Sequence, residues 1–314
     1  MRSILAQSIR GERLVGTVHH PCGESLNGTR GRVGLLILNF GQAPRAGLGD
    51  LAARMGDGLA SQGYPVFRFD LPGLGDSAGE LPERIQVFWR HVQEGGHAEQ
   101  ACELAASLIE RFKLKRLVLG GLCGGAITAI YAAAKNPDVI AGVLAIEPDF
   151  ILTPLAKEQG PQEMSTSDYL CSVAANKRNL LSLASWGRFF SGQSAYRHHF
   201  ELLRRSAALY WERMRGRTLP EDANVKLVHC TRKLAERKVP MLIVSSGDAG
   251  RAFMENDVLG STRAAVRFDT IDGTNHLFIA GRGPQELTSR VETWMFDQYP
   301  SAPPSVLLTR QQVA

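Results

Sequence analysis

The chain has 314 residues, 44% of them hydrophobic and 21% charged, which is enough for a sizeable core and ordinary for a globular enzyme. A net charge of +5 favours anions weakly and does not by itself point to nucleic acid. No apolar run reaches the length of a membrane span, and Met1-Arg2-Ser3-Ile4-Leu5 lacks a secretion-signal pattern. The five cysteines, Cys22, Cys102, Cys123, Cys171 and Cys230, are scattered and without C-x-x-C spacing. That spacing argues for reduced thiols in a cytoplasm, against a disulfide framework and against a zinc site.

In chain order, residues 4–9 and 14–20 read as an antiparallel hairpin with its turn at Gly11-Glu12. The apolar run 33–39 reads as a buried strand. Asp50 is placed to cap a helix in which Leu51, Met55 and Leu59 repeat every four residues and which Gly63 ends. A strand at 65–70 and a glycine-rich loop at 71–77 follow, then a helix over 97–112 with Ala101, Leu104, Ala105, Leu108 and Phe112 on one face. Next come a strand at 116–120, a helix at 126–134 and a strand at 139–146. Residues 147–239 carry helical patterns but no strong strand. Strands at 241–245 and 265–271, and a helix at 284–296 with Leu287, Val291 and Met295 inward, complete the alternation. The tail from Tyr299, which contains three prolines, is expected to be poorly ordered. These elements predict an α/β fold with a mostly parallel sheet flanked by helices. Residues 1–146 and 240–298 form its core, 147–239 an inserted helical cap, and 299–314 the C-terminal tail.

Between the strand at 116–120 and its following helix stands Gly121-Leu122-Cys123-Gly124-Gly125. Strand, G-x-C-x-G, helix is the context of a nucleophile elbow, a sharp turn that lifts one side chain off the end of a parallel sheet. Small neighbours are needed there because the nucleophile's backbone is strained. A nucleophile so placed requires a base and a group that orients the base. In this arrangement the chain order is nucleophile, acid, histidine. Asp248 lies just past the strand 241–245, and His276 lies in the loop after the strand 265–271. Glu147 and Asp149, which follow the strand 139–146, are the alternative acids. The remaining histidines, His19, His20, His91, His97, His198, His199 and His229, are expected at the surface. The N–H of Gly124 is expected to contribute to an oxyanion hole, with a second donor from the loop after Asn39: Gln42, or alternatively Gly41. Arg45 is expected either to meet a substrate carboxylate or to be solvated.

With these motifs the chain resembles the α/β-hydrolase superfamily over roughly residues 30–298. Within it, the chain is most similar to hydrolases associated with the bacterial exosortase A system, close to the serine-aminopeptidase-like branch. That likeness rests on Gly63-Tyr64-Pro65-Val66-Phe67-Arg68-Phe69-Asp70, on Gly73-Leu74-Gly75-Asp76-Ser77, on Gly120-Gly121-Leu122-Cys123, on Trp186-Gly187-Arg188-Phe189-Phe190-Ser191-Gly192 and on Gly273-Thr274-Asn275-His276. Gly124-Gly125 departs from that branch, and the cysteine elbow is also similar to dienelactone hydrolases and polyhydroxyalkanoate synthases, which share G-x-C-x-G but differ elsewhere. The resemblance implies an α/β-hydrolase fold and an acyl-transfer enzyme that needs no metal or cofactor.

A thiol of ordinary pKa about 8.5 is activated beside a histidine and a helix N-terminus. It attacks activated acyl groups well and gives a thioester. The expected substrates are therefore esters, lactones or thioesters rather than peptides, handled through a Cys123-His276-Asp248 triad and an acyl-cysteine. Because thioesters accept alcohols and amines, transfer to such an acceptor is the alternative reaction. A weakly catalytic ligand-binding or partner protein is the alternative from another class. Basic residues outnumber acidic ones between Lys177 and Lys238. They read either as a solvated face or as a dock for an anionic carrier of the acyl group, coenzyme A or an acidic carrier protein. Trp186 and Phe189, with other apolar residues of the cap, either line an acyl pocket or hold the cap on the core.

Overall fold

The structure, a computed structural model, describes residues 1–21, 32–153, 219–247 and 253–300. Strands β1 (Arg2–Ile9) and β2 (Glu12–His19) form the expected hairpin. Its turn falls one residue earlier than expected, at Arg10-Gly11, both with left-handed backbone (φ 52° and 81°). A two-residue turn of this hand matches the twist of the strands it joins.

Strand β2 pairs antiparallel with β4 (Val66–Phe69). From β4 onward all pairing is parallel, through β3 (Val33–Ile37), β5 (Arg116–Leu122), β6 (Ile140–Ile146), β7 (Met241–Ser245) and β8 (Arg267–Thr270). The order across the sheet is β1-β2-β4-β3-β5-β6-β7-β8. Successive residues of one strand feed opposite faces. Leu36, Leu119 and Val143 join one core cluster with Leu104 and Ile127, whereas Leu35, Val118 and Leu144 join another with Met55 and Trp294. Burial on both faces is why these strands carry unbroken apolar runs.

Helices α1 (Leu51–Ser61), α3 (Ala98–Phe112), α4 (Gly124–Lys135) and α6 (Gly283–Gln298) form where the periodicity places them. Helix α2 (Ile85–Gln93) was not expected. It buries Phe88 and Val92, one turn apart, but exposes Ile85 and Val87, and the exposed pair hides the helical period. Asp50 precedes α1 without capping it through its side chain. Its backbone is left-handed (φ 57°), and the Ala46 carbonyl accepts the Ala53 N–H instead (3.1 Å). In the expected cap, α5 (Val225–Glu236) is capped by the Asn224 side chain (3.1 Å to the Leu227 N–H). Its Leu227, Val228, Leu234 and Ala235 share a cluster with Ile127 and Ile130 of α4. Residues 154–218 of that expected cap lie outside the described residues. The tail begins docked rather than loose: Tyr299 Oη donates to the Ala141 carbonyl (2.7 Å), and the Tyr299 carbonyl accepts from Tyr64 Oη (2.8 Å). No helix among the described residues is long and apolar enough to cross a membrane.

Three histidines expected at the surface are buried: His19, His20 and His97. Histidines in loops and at strand ends are enclosed here by elements that pack on them from elsewhere in the chain. His19 sits between Asp57 and Arg68, at 2.8 Å and 2.7 Å. Neither ring nitrogen of His97 has a hydrogen-bond partner among the described residues. Burial lowers the pKa of both to about 4, aided by Arg68 at His19 and by His91 at His97. A neutral form favoured by folding stabilises the chain above the ordinary histidine pKa of 6.5, and that contribution is lost as pH falls toward 4. The melting temperature is therefore expected to drop between pH 7 and pH 4.5, and to drop less in His97→Leu. Equal acid slopes for the two proteins in a pH series of melting curves would remove His97 from this account.

Candidate active site

The sheet order reverses between β3 and β5, because the chain runs from β3 to β4 on one side and resumes at β5 on the other. Such a reversal leaves a crevice at the strands' C-terminal ends. Cys123 stands there, half-buried, directly after β5. Its backbone has φ 54° and ψ −111°, a left-handed strain for a residue with a side chain. The turn closes only because its neighbours lack side chains. A Cβ on Gly121 would lie 2.7 Å from the Gly125 carbonyl carbon, and one on Gly125 would lie 2.4 Å from the Asn39 oxygen. The Cys123 N–H donates to the Ile146 carbonyl (2.8 Å), and its own carbonyl accepts the Ile127 N–H (3.1 Å). Helix α4 therefore starts at the nucleophile, with the N–H groups of its first turn pointing toward the crevice.

His276 follows β8 in a turn held by Phe278 N–H to the Asn275 carbonyl (2.8 Å) and Ile279 N–H to Asn275 Oδ1 (3.0 Å). Its Nδ1 lies 3.6 Å from Glu147 Oε2, an ion-pair contact longer than a hydrogen bond. The imidazole is half-exposed. Hydrogen bonding to the Cys123 side chain first, and interaction with the Glu147 carboxylate second, push its pKa up to about 10, against the opposing effect of burial. Glu147 is fixed by the end of β7 beside it. Its N–H donates to the Val244 carbonyl (2.8 Å), and its Oε1 accepts the Ser246 N–H. Asp149, the other residue named after β6, turns back on its own loop and accepts the Ile151 N–H (2.9 Å). Asp248 lies outside the described residues. The structure thus brings together Cys123, His276 and Glu147.

The loop after β3 is pinned by Asn39, whose Nδ2 donates to the Ala43 carbonyl (3.0 Å) and to Asp70 Oδ1 (2.9 Å), and whose Oδ1 accepts the Leu71 N–H (2.7 Å). A turn from Phe40 to Ala43 (Ala43 N–H to the Phe40 carbonyl, 3.1 Å) has Gly41 and Gln42 at its tip. Gly41 has φ 60°. A Cβ on Gly124 would lie 3.3 Å from Gly41 Cα, so the two segments expected to supply oxyanion donors are in contact. Arg45 meets neither of its expected roles. Its Nη1 pairs with Asp70 and with Asp76 (2.7 Å), its Nε donates to Thr17 Oγ1 (3.1 Å), and its backbone N–H donates to Asp70 Oδ1 (2.6 Å). Asp70 is fully buried, and a carboxylate without water needs such a partner. Trp186 and Phe189 lie outside the described residues. Among the basic residues near the cap, Lys226 donates to the Glu94 carbonyl (2.8 Å), and Arg232 donates to the Asp257 and Val258 carbonyls (both 2.7 Å). Sequence reasoning missed Trp89, which α2 carries to the crevice, because it missed α2.

Residues 45–219 match the family described as alpha/beta hydrolase fold. The chain belongs to the alpha/beta hydrolase fold family. No curated protein matches it. Among solved structures it is similar to TT1662 from Thermus thermophilus, with 15% identity, 96% of this chain and 100% of that chain covered, and a TM-score of 0.56. It is also similar to Est1E from Butyrivibrio proteoclasticus, solved with ferulic acid bound (14% identity, 94% and 98% covered, TM-score 0.57). A third is the dienelactone hydrolase from Anabaena variabilis (15% identity, 95% and 98% covered, TM-score 0.54). At these identities the likeness is one of fold. The eight-stranded order above, with one antiparallel edge and helices on both faces, is that fold.

The raised pKa of His276 has a consequence for stability. A proton held to about pH 10 in the folded chain, and released near 6.5 in an unfolded one, stabilises the fold below about pH 6.5. The contribution disappears as pH rises through 10. An NMR titration of the His276 ring is expected to show a midpoint well above 6.5 in the parent chain and a lower one in Glu147→Gln. An unchanged midpoint in that variant would mean that the Glu147 contact does not hold the proton.

Proposed function

We propose that the chain is an acyl hydrolase acting on an ester, lactone or thioester through an acyl intermediate on Cys123. The observation that carries this reading is the strained glycine-flanked elbow that sets Cys123 at the start of α4, at the same sheet edge where His276 meets Glu147. Cys123 gives its proton to His276 and its Sγ attacks the acyl carbon, and the carbonyl oxygen takes up negative charge beside the N–H of Gly124 and a second N–H from the Gly41-Gln42 turn. Collapse breaks the bond to the alkoxide or thiolate, which leaves with a proton from His276. His276, now neutral, takes a proton from water as the water oxygen attacks the thioester. The acid product departs and Cys123 regains its proton. Two carboxylates compete for orienting His276. Asp248 fits the chain order expected of a triad, and Glu147 is supported by its contact with the ring.

Transfer of the acyl group to an alcohol or amine is the second reading, favoured by the sulfur nucleophile because a thioester is open to such acceptors. A carrier-bound acyl group, on coenzyme A or an acidic carrier protein, remains the proposed anionic substrate form. Esters, lactones and thioesters are proposed over peptides because a thiolate is expelled from the tetrahedral intermediate more easily than an amine.

Intact-mass analysis after mixing with a panel of acyl thioesters and activated esters is expected to show one acyl adduct, absent in Cys123→Ala. Turnover in that variant is expected to fall by ~10³-fold or more. Full turnover in Cys123→Ala would end this reading. Of Glu147→Gln and Asp248→Asn, the one that removes the orienting group is expected to lose at least ~10-fold in kcat. Added amine or alcohol that diverts product from free acid to amide or ester would select transfer. A salt-dependent KM for carrier-bound substrates, but not for small esters, would mark carrier docking.

A further inference from the structure

We infer that Trp89 is a positioning residue for oxyanion stabilisation: its indole is the surface against which the Gly41 turn and the start of α4 are held in register. This inference rests on the acyl-transfer reading above. A Cβ on Gly41 would lie 2.7 Å from Trp89 Cη2, and one on Gly124 would lie 3.3 Å from Trp89 Cζ3. One edge of one ring therefore packs on both backbone segments that bear the expected donors. Both of those residues are glycine, which lets the ring approach the backbone itself rather than a side chain. Hydrogen bonds pin the ends of the turn, through Asn39 and through Ala43 to Phe40. They leave the tip at Gly41-Gln42 to be fixed by packing. Donors that stabilise a developing oxyanion work only within a few tenths of an ångström of their required position, so a rigid apolar wall behind the tip has catalytic value.

The wall is itself anchored. Phe88 meets Trp89 edge-on at 5.6 Å. Beyond Trp89 the last turn of α2 is tied to the segment that follows β6 and to the residue that caps α5. Arg90 Nη2 donates to the Thr153 carbonyl (2.8 Å). Gln93, almost fully buried, donates to the Ile151 carbonyl (2.7 Å) and accepts the Thr153 N–H (2.8 Å). The Gln93 carbonyl accepts Tyr131 Oη (2.9 Å) and Asn224 Nδ2 (2.6 Å). A bridge between Ile151 and Ala223 joins those two segments. A helix with no capping side chain and two exposed aliphatics is thus held firmly through the turn that follows the indole.

The test compares two reactions of the same sulfur. Alkylation of Cys123 by iodoacetamide displaces iodide and develops no oxyanion, whereas acylation by p-nitrophenyl acetate does. In Trp89→Ala the acylation rate is expected to fall by ~10 to 100-fold, while alkylation stays within about threefold of the parent. Trp89→Phe, which keeps an aromatic edge, is expected to restore most of the acylation rate. Acylation at the parental rate in Trp89→Ala would overturn the proposal, and so would a parallel fall of acylation and alkylation, which marks a general structural role. A parent chain that alkylates at Cys123 but acylates nowhere would overturn the acyl-transfer reading together with this one.

Discussion

The left-handed backbone at Cys123 is the constraint from which the rest of the crevice follows. Holding a residue with a side chain at φ 54° and ψ −111° costs on the order of 1–3 kcal/mol, and the surroundings must offset that cost. They do so by close approach: Gly121 and Gly125 allow backbone contacts that a Cβ would forbid, and the Cys123 N–H completes the ladder to β6 through the Ile146 carbonyl. The result lifts Sγ off the sheet at the mouth of α4, where a positive helix end and unpaired N–H groups favour negative charge.

Around that point the sheet topology collects groups distant in sequence. Reversal of order between β3 and β5 sets the Asn39–Ala43 loop beside the elbow. The ends of β6 and β8 bring Glu147 and His276 together. Beneath the loop lies a charged layer unusual for an interior. Asp70 is enclosed by Asn39, Arg45 and the turn at Asp76, and Arg68 is enclosed between His19 and the Arg45 carbonyl. Each buried charge has a partner, as desolvation demands. Because Asn39 belongs both to this layer and to the loop, the layer fixes where the loop leaves the sheet.

How much of this was legible depended on whether the signal was local. The runs that became β3, β5, β6 and β7 are apolar because both their faces are covered, and Leu51, Met55 and Leu59 mark α1 by spacing alone. The elbow was legible because its glycines answer a local steric demand. Helix α2 was not, since Phe88 and Val92 are diluted by the exposed Ile85 and Val87. Burial of His19 and His97 was equally hidden, being produced by residues such as Asp57, Arg68 and Phe88 that approach from elsewhere in the chain.

By itself the sequence determined the fold class, the strained turn with its cysteine, and the histidine that follows the last strand, because each is written in neighbouring residues that obey one steric or periodic rule. Only the tertiary structure decided that Glu147 faces His276, that Arg45 is held by Asp70 and Asp76, and that Trp89 backs the Gly41 turn. Those are distances between segments far apart in the chain. They are set by how strands align and helices pack, and no local pattern of residues records them.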